Sequence, residues 1–288
     1  MLRAFFGRHK SASTWARNII HDAAAALDLK IMTIHVPAQY ESYGTLGDMV
    51  RVERPDILIM TRAFQHEVDT IEDELRAVHL IRDPRDIIVS GYFSHRNSHP
   101  EVFGGIAWPE LIEHRKVLKS VDKDAGLEAE IEFSDVVLEG MSTWNYHQPG
   151  VLEVKMEDLI TDQAKLWAVL FSHYEMLDPE GTGGERVKMA KVKWNLAVRR
   201  GKPRTLALMR KALPRFPLDR LPHAYIDNVL DRFSFTNLSK SDRKPGEVDE
   251  HNHYRKGVAR DWENHLTPRH LELIHERYGD LVERLGYH

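Results

Sequence analysis

The stretch whose reading decides the fold is Leu2-Arg3-Ala4-Phe5-Phe6, followed by Gly7-Arg8-His9-Lys10-Ser11-Ala12-Ser13-Thr14-Trp15. A short apolar run ending at a glycine reads as a buried strand. Beyond it Trp15, Ile19, Ala23 and Leu27 recur at four-residue steps with Ile20 beside them, which predicts a helix with one apolar face over 14–27. The turn between strand and helix is dense in small hydroxyl residues. Such a turn gathers backbone N–H and side-chain O–H groups around one point, and the helix N-terminus adds partial positive charge. Lys10 adds a full charge, so the turn reads as an anion site; the plainer reading is a capped helix start with a solvated lysine. It departs from the nucleotide triphosphatase loop, which sets Gly directly before Lys-Ser/Thr, and no strand-end Asp offers itself to magnesium.

Outward from this element, the stretches at 30–35, 56–61, 77–81 and 151–155 read as strands. Helical patterns occupy 85–94, 109–120, 134–146, 162–174 and 267–285, and a polar stretch at 239–252 with Pro245 and Gly246 reads as a loop. Strands alternating with helices imply an α/β fold, a central, mostly parallel sheet flanked by helices on both faces. Ligands in such folds bind at the carboxyl ends of the strands. With no internal repeat and no linker, residues 1–288 read as a single domain.

Composition narrows the chemistry. The chain has no cysteine, which excludes disulfides, thiolate nucleophiles and Cys-ligated zinc and fits a reducing compartment. Lys plus Arg total 40 against 44 for Asp plus Glu, a net −4 that argues against a general nucleic-acid binder. The charge is segregated: residues 186–220 carry +11 and the rest of the chain −15. The apolar start of the chain is too short for a secretory signal, and no apolar run approaches the roughly 18–20 residues of a membrane span, so a cytoplasmic protein is expected.

Two further constellations carry cations. In His79-Leu80-Ile81-Arg82-Asp83-Pro84-Arg85-Asp86-Ile87-Ile88-Val89-Ser90, a strand delivers Arg82 at its carboxyl end and Pro84 suits a first helical turn. Arg offers a fork to phosphate, and Ser90 lies about two turns on. A surface Arg-Asp cluster is the alternative. In Tyr254-Arg255-Lys256-Gly257-Val258-Ala259-Arg260-Asp261-Trp262-Glu263-Asn264-His265, two cations precede a glycine that permits close backbone approach; the alternative is a routine basic loop. Three basic sites with small residues suit one ligand with several phosphates.

Together these stretches resemble the signature elements of sulfotransferases that use 3′-phosphoadenosine 5′-phosphosulfate (PAPS). Lys10-Ser11-Ala12-Ser13-Thr14-Trp15 resembles the family's 5′-phosphosulfate loop, usually Pro-Lys-Ser-Gly-Thr-Thr-Trp. Arg82 to Ser90 resembles its 3′-phosphate element, and Arg255-Lys256-Gly257 its C-terminal Arg-Lys-Gly motif. Glu157-Asp158-Leu159 and Phe233-Ser234-Phe235 are weaker echoes. The matches run in family order over residues 2–265.

The resemblance implies one P-loop-like nucleotide-binding domain and sulfuryl transfer from PAPS to a hydroxyl or amine, with PAP, the desulfated nucleotide, as product and no metal. It implies that Lys10 contacts the phosphosulfate and that Ser11, Ala12, Ser13 and Thr14 wrap the 5′-phosphate. Trp15 and Phe235 would flank the adenine, Trp15 also serving the core. Arg82, Ser90, Arg255, Lys256 and Gly257 would bind the 3′-phosphate. Ala12 stands where the family has Gly, which should limit a positive φ there, and His9 stands where it has Pro.

The acceptor's base stays open. Many members carry Lys-Thr-His where this chain has Met60-Thr61-Arg62, and arginine is no base near neutrality. His66, His95, Glu67 and His35 are the candidates. His95 and His99 have the i,i+4 spacing of metal ligands, but no third ligand is evident and Pro100 ends the helix. The basic segment 186–220 reads either as a solvated helical face or as a lid for an anionic or carrier-bound acceptor. A P-loop kinase and a PAP-binding protein without catalysis are the competing readings.

Overall fold

In the computed structural model, the described residues are 1–103, 106–200, 213–239, 242–252 and 255–288. The strands are β1 (Leu2–Phe6), β2 (Ile31–Ile34), β3 (Ile57–Met60), β4 (Leu75–Ile81), β5 (Val102–Phe103), β6 (Ile106–Ala107) and β7 (Val151–Lys155). Five of them form one all-parallel sheet in the order β2-β3-β1-β4-β7, and β5 and β6 make a small antiparallel pair. The central position of β1 follows from its sequence: Ala4, Phe5 and Phe6 are all buried, as are Ile57 to Met60 on its neighbour. A continuous apolar run, not an alternating one, marks a strand covered on both faces.

The covering helices are α1 (Ser13–Leu27), α2 (Leu46–Glu53), α3 (Gln65–Val68), α4 (Pro84–Asn97), α5 (Pro109–Ser120), α6 (Lys123–Phe133), α7 (Asp135–Ser142), α8 (Met156–Thr161), α9 (Gln163–His173) and α10 (Glu185–Arg200). Successive strand side chains point to opposite faces. Phe5 therefore packs with Ile19, Ile20 and Ala23 of α1, Trp167 and Phe171 of α9 and Val192 of α10. Leu2, Ala4 and Phe6 pack on the other side with Met49 and Val50 of α2 and with Trp144. A third cluster joins α4, α6 and α7 to the C-terminal helices Pro268–Tyr278 and Leu281–Arg284. None of the helices among the described residues is long and apolar enough to cross a membrane.

The expected strands are present: β1 and β7 have the expected bounds, β2 and β3 are trimmed at their ends, and β4 begins two residues earlier. Helices α2 and α6 were not anticipated. Each opens on a cap: Thr45 and Asp48 form a capping box at α2, and Asp122 accepts from Ala125 N at 2.9 Å at α6. The expected helix over 134–146 stops at Ser142, and Trp144 turns its ring onto Phe6 at 5.6 Å. The expected closing helix over 267–285 breaks at Gly279, whose φ of 60° is left-handed. The basic segment is helical over Glu185–Arg200; Lys202, Arg204, Leu206, Met209, Arg210 and Lys211 lie outside the described residues. The polar stretch carries no helix or strand over 242–252, while Ser239 closes a short helix.

A buried polar chain ties the first loop to the far edge of the sheet. Arg8 is 1% exposed; its Nε donates to His79 Nε2 at 3.0 Å, and its guanidinium lies 4.7 Å from the Trp144 ring. Arginine only donates, so His79 Nε2 is the acceptor and Nδ1 carries the hydrogen, which it gives to Glu153 at 2.6 Å. Burial pushes Glu153 up to about 7 and brings Arg8 down to about 10.

Gly150 sets the entry to β7. Its φ is 75°, its carbonyl accepts from Ala77 N at 2.8 Å, and a Cβ there would stand 2.0 Å from the Leu75 carbonyl oxygen. Gly150→Ala is expected to destabilise the fold by about 2 kcal/mol or more, measured by urea denaturation.

Candidate functional site: an anion cradle at the carboxyl edge of the sheet

The loop after β1 is pinned at its start. Gly7 N–H donates to the Met60 carbonyl at 2.8 Å, and the Gly7 carbonyl accepts from Ala63 N at 3.2 Å. A Cβ on Gly7 would stand 2.8 Å from Ser13 Oγ, so this position has no room for a side chain. Ser11 Oγ donates to the Arg8 carbonyl at 2.7 Å, and Ser13 Oγ donates to the same carbonyl at 2.5 Å. These hydroxyls brace the loop from within. What the loop presents outward is backbone: the first N–H groups of the 15-residue helix α1, which have no intrahelical acceptor.

Ala12 was expected to resist a positive φ, yet it adopts φ 58°, and Lys10 adopts φ 63°. Each costs about 1–2 kcal/mol for a residue with a Cβ. The serine bonds to Arg8 and the pinned Gly7 over-determine the turn, so the conformation persists despite its strain.

The three basic stretches come together. Arg82 Nη1 donates to the Lys10 carbonyl at 2.9 Å. The Lys10 ammonium is lowered to about 7 by burial and by the nearby Arg82 and Arg255 guanidinium groups, against the opposing pull of Glu130. Arg82 Nε is buried and has no hydrogen-bond partner among the described residues. A buried, unmet donor next to a lysine whose charge is disfavoured by burial and two guanidinium groups is what an anion of several charges would satisfy.

The C-terminal motif is held by two aspartates. Asp261 receives Arg255 Nη2 and, at 2.5 Å, Lys256 Nζ. Burial works against its charge, but hydrogen bonds from His265, Lys256 and Arg255 hold the carboxyl well below the usual range. Asp86, near the start of α4, accepts from Arg260 N at 2.8 Å and Trp262 N at 2.9 Å, docking the motif against the helix that follows Arg82. The Arg255 guanidinium lies 4.3 Å from the Phe93 ring centre. Ser90 is half-buried on the same helix as Phe93, between buried neighbours.

Aromatic groups border the cradle. Gly257 has φ 68°, and a Cβ there would stand 2.6 Å from the Phe235 ring, so only glycine lets the two approach. Trp15 Nε1 donates to the Phe233 carbonyl at 3.0 Å, and its ring meets Trp167 edge-on at 5.9 Å. Trp15 is thus a core residue that tethers the segment bearing Phe235. Thr14 is half-buried at the start of α1.

The base candidates separate. Glu67 is buried, accepting from the Tyr40 hydroxyl at 2.6 Å and from Phe64 N at 3.1 Å. His35 Nδ1 is 2.9 Å from Thr61 Oγ1. His66 is exposed, stacked on Phe64 at 5.7 Å, and carries no hydrogen bond among the described residues. His95 is 2% exposed with both ring nitrogens engaged, Nε2 at 2.9 Å from His9 Nε2 and Nδ1 at 2.9 Å from Glu130. His9, Glu130 and His114, which complete that cluster, were not singled out from sequence; the only signal was a histidine in the place of the family's proline.

The described part of the basic segment is partly neutralised. Lys188 pairs with Asp178 at 2.7 Å, Arg199 lies 3.6 Å from Asp28, and Arg215 pairs with the same aspartate. Arg186 and Lys193 face solvent, while Val192, Asn195 and Leu196 are buried. A groove of about 760 Å³ runs along β7, lined by Glu153, Lys155, Leu170 and Arg284 among others, and includes none of the cationic residues above.

The sequence matches no family model and no curated protein. Among solved structures the chain is similar to the crystal structure of mouse sulfotransferase SULT7A1 complexed with PAP, at 15% identity over 97% of this chain and 83% of that one, with a TM-score of 0.51. It also aligns with retinol dehydratase in complex with androsterone and the inactive cofactor PAP, at 14% identity over 98% of this chain and 80% of that one, TM-score 0.44. A complex of retinol dehydratase with retinol and PAP gives 15% identity, 98% and 80% coverage and a TM-score of 0.43. From the likeness to the mouse enzyme, which spans nearly the whole chain, the backbone has the sulfotransferase fold.

Proposed function

We propose that residues 1–288 form one sulfotransferase domain that moves a sulfuryl group from PAPS to a hydroxyl or amine acceptor by in-line displacement. The observation that carries this reading is the meeting of Lys10, Arg82 and Arg255 around a helix N-terminus, with Arg82 Nε buried and unmet. The fold's mouse neighbour was crystallised with PAP, and PAP has the phosphates such a cradle suits. In this reading Lys10 and the N–H groups of residues 11–14 hold the 5′-phosphosulfate, and Arg82, Ser90, Arg255, Lys256 and Gly257 the 3′-phosphate. The adenine lies near Phe235, on the side that Trp15 anchors.

The chemistry is displacement at sulfur. The bond from sulfur to the 5′-phosphate oxygen breaks as the acceptor's oxygen or nitrogen bonds to sulfur. Lys10 steadies charge on the departing oxygen, and the rest is positioning and electrostatics. The acceptor's proton goes to His66, whose ring is open, whereas Glu67 is committed to Tyr40 and His95 to His9 and Glu130. Arg186 and Lys193, the exposed cations of the 186–220 segment that carry no ion pair among the described residues, would face an anionic or carrier-bound acceptor, and the absence of cysteine fits a cytoplasmic setting.

Calorimetry should show PAP binding in preference to magnesium-ATP, and incubation with PAPS and an acceptor library should yield a product heavier by one SO₃. Preference for magnesium-ATP would favour the kinase reading; PAP binding with no transfer to any acceptor would favour a binding protein. Lys10→Ala is expected to cut kcat by about 10²–10³ while leaving the fold intact.

Lys10 sits near 7 without an anion, and a bound anion favours its charged form. PAP binding above pH 7 must therefore take up a proton, and affinity should fall as pH rises past about 7. Titrations at pH 8 in buffers of different ionisation enthalpy read the uptake, which Lys10→Ala should abolish. Asp261→Asn leaves Arg255 and Lys256 without their carboxylate in a buried setting and should cost about 3 kcal/mol of folding stability together with weaker PAP binding.

A further inference from the structure

The histidines behind Lys10 are gathered more tightly than packing requires. His9, His95 and His99 each offer a ring nitrogen, and these atoms all lie within 4.8 Å of one another. The ring centres are 5.1 Å apart for His9 and His95, 5.0 Å for His9 and His99, and 5.2 Å for His95 and His99. The i,i+4 pair, His95 on α4 and His99 in the turn after it, thus acquires a third imidazole from the loop after β1, which the sequence spacing alone did not reveal.

The hydrogen bonds on the far sides of the rings orient them. His99 Nδ1 lies 3.1 Å from the Pro100 carbonyl. A carbonyl only accepts, so Nδ1 carries the hydrogen and Nε2 keeps its lone pair. His95 Nδ1 lies 2.9 and 3.1 Å from the two oxygens of the fully buried Glu130, which also takes His114 Nε2 at 2.7 Å. A carboxylate on Nδ1 fixes that tautomer and leaves His95 Nε2 as a donor atom, the arrangement typical of metal-bound histidine. His9 Nε2 stands 2.9 Å from His95 Nε2. Two lone pairs at that distance repel unless a proton or a cation lies between them. Arg115 fixes the backbone, its Nε and Nη2 each donating at 2.6 Å, to the His95 and His99 carbonyls. Trp108 stands edge-on to His9, His95 and His99 at 5.9, 6.0 and 5.6 Å, an apolar wall for the cluster.

We propose that His9, His95 and His99 bind one divalent ion of the zinc class, with Glu130 as the group that orients His95. Imidazole-only sites suit zinc, cobalt, nickel or copper rather than magnesium or calcium. Zinc–nitrogen bonds of about 2.0–2.1 Å in a tetrahedron place neighbouring nitrogens roughly 3.4 Å apart. His9 and His95 nearly meet that spacing at 2.9 Å, and His99, in the turn after α4, lies within 4.8 Å of both. Three protein ligands leave a fourth position for a water or an acceptor oxygen, one residue from Lys10. The site stands on this geometry and does not require the transferase reading.

The test uses the full chain without an affinity tag, stripped with chelator and titrated with Co²⁺ and Zn²⁺. The expected result is one equivalent bound per chain, visible ligand-field bands of low-symmetry Co²⁺, and a zinc-dependent rise in melting temperature. His99→Ala should lose the bands and weaken binding about 100-fold or more, and Glu130→Gln should weaken it about 10–100-fold. His275→Ala, an exposed histidine elsewhere, should change nothing. If His99→Ala does not fold, His99→Gln takes its place. No stoichiometric uptake by the wild-type chain, or uptake unchanged by loss of His99, overturns the proposal. PAP titration of the same samples keeps the two questions apart, since nucleotide binding without metal uptake rejects only the ion site.

Discussion

Lys10, Arg82 and Arg255 stand close enough that burial and the two guanidinium groups bring the lysine to about 7. A cluster of like charges in a partly desolvated pocket opposes folding unless a frame holds it. Much of the site is that frame. Asp261 takes Arg255 and Lys256, Asp83 takes Arg85, and Asp86 binds the backbone of the C-terminal motif to α4. The carboxylates neutralise part of the charge and leave the buried Arg82 Nε without a hydrogen-bond partner among the described residues. In the proposed reading, a ligand's negative charge would complete what the protein leaves incomplete.

The sheet supports this arrangement by bringing distant segments to one edge. β1, β3 and β4 are parallel neighbours, so the loops after Phe6, Met60 and Ile81 open on the same side. That is why motifs separated by more than seventy residues, Lys10 and Arg82, share a hydrogen bond. The Arg8–His79–Glu153 chain crosses from the loop through β4 to β7 and fixes the relative heights of these strands from inside.

Much of the fold was legible because its strands are short, largely apolar runs and its first loop carries a dense local signature. The cationic residues were legible for the same reason: each sits in a compact motif after a strand or in a glycine-bearing loop. Among the elements that escaped, α2 and α6 are short helices whose caps, Thr45 and Asp122, lie in polar stretches. The histidine cluster was illegible for a different reason. His9, His95 and Glu130 belong to a loop, to α4 and to α6, and no spacing in the sequence announces that these will meet. Ala12 misled because propensity speaks for the isolated residue, whereas Arg8, Ser11 and Ser13 decide its conformation collectively.

The left-handed alanine has a thermodynamic meaning of its own. A glycine at residue 12 would reach φ 58° without strain but would also roam through other conformations. With alanine and the inward-turned serines, the turn gives up its conformational entropy when the chain folds, before any anion arrives. Ordering the cradle then subtracts little from the free energy of association. The strain held in the folded loop is the counterpart of a receptor that is already shaped when its ligand meets it.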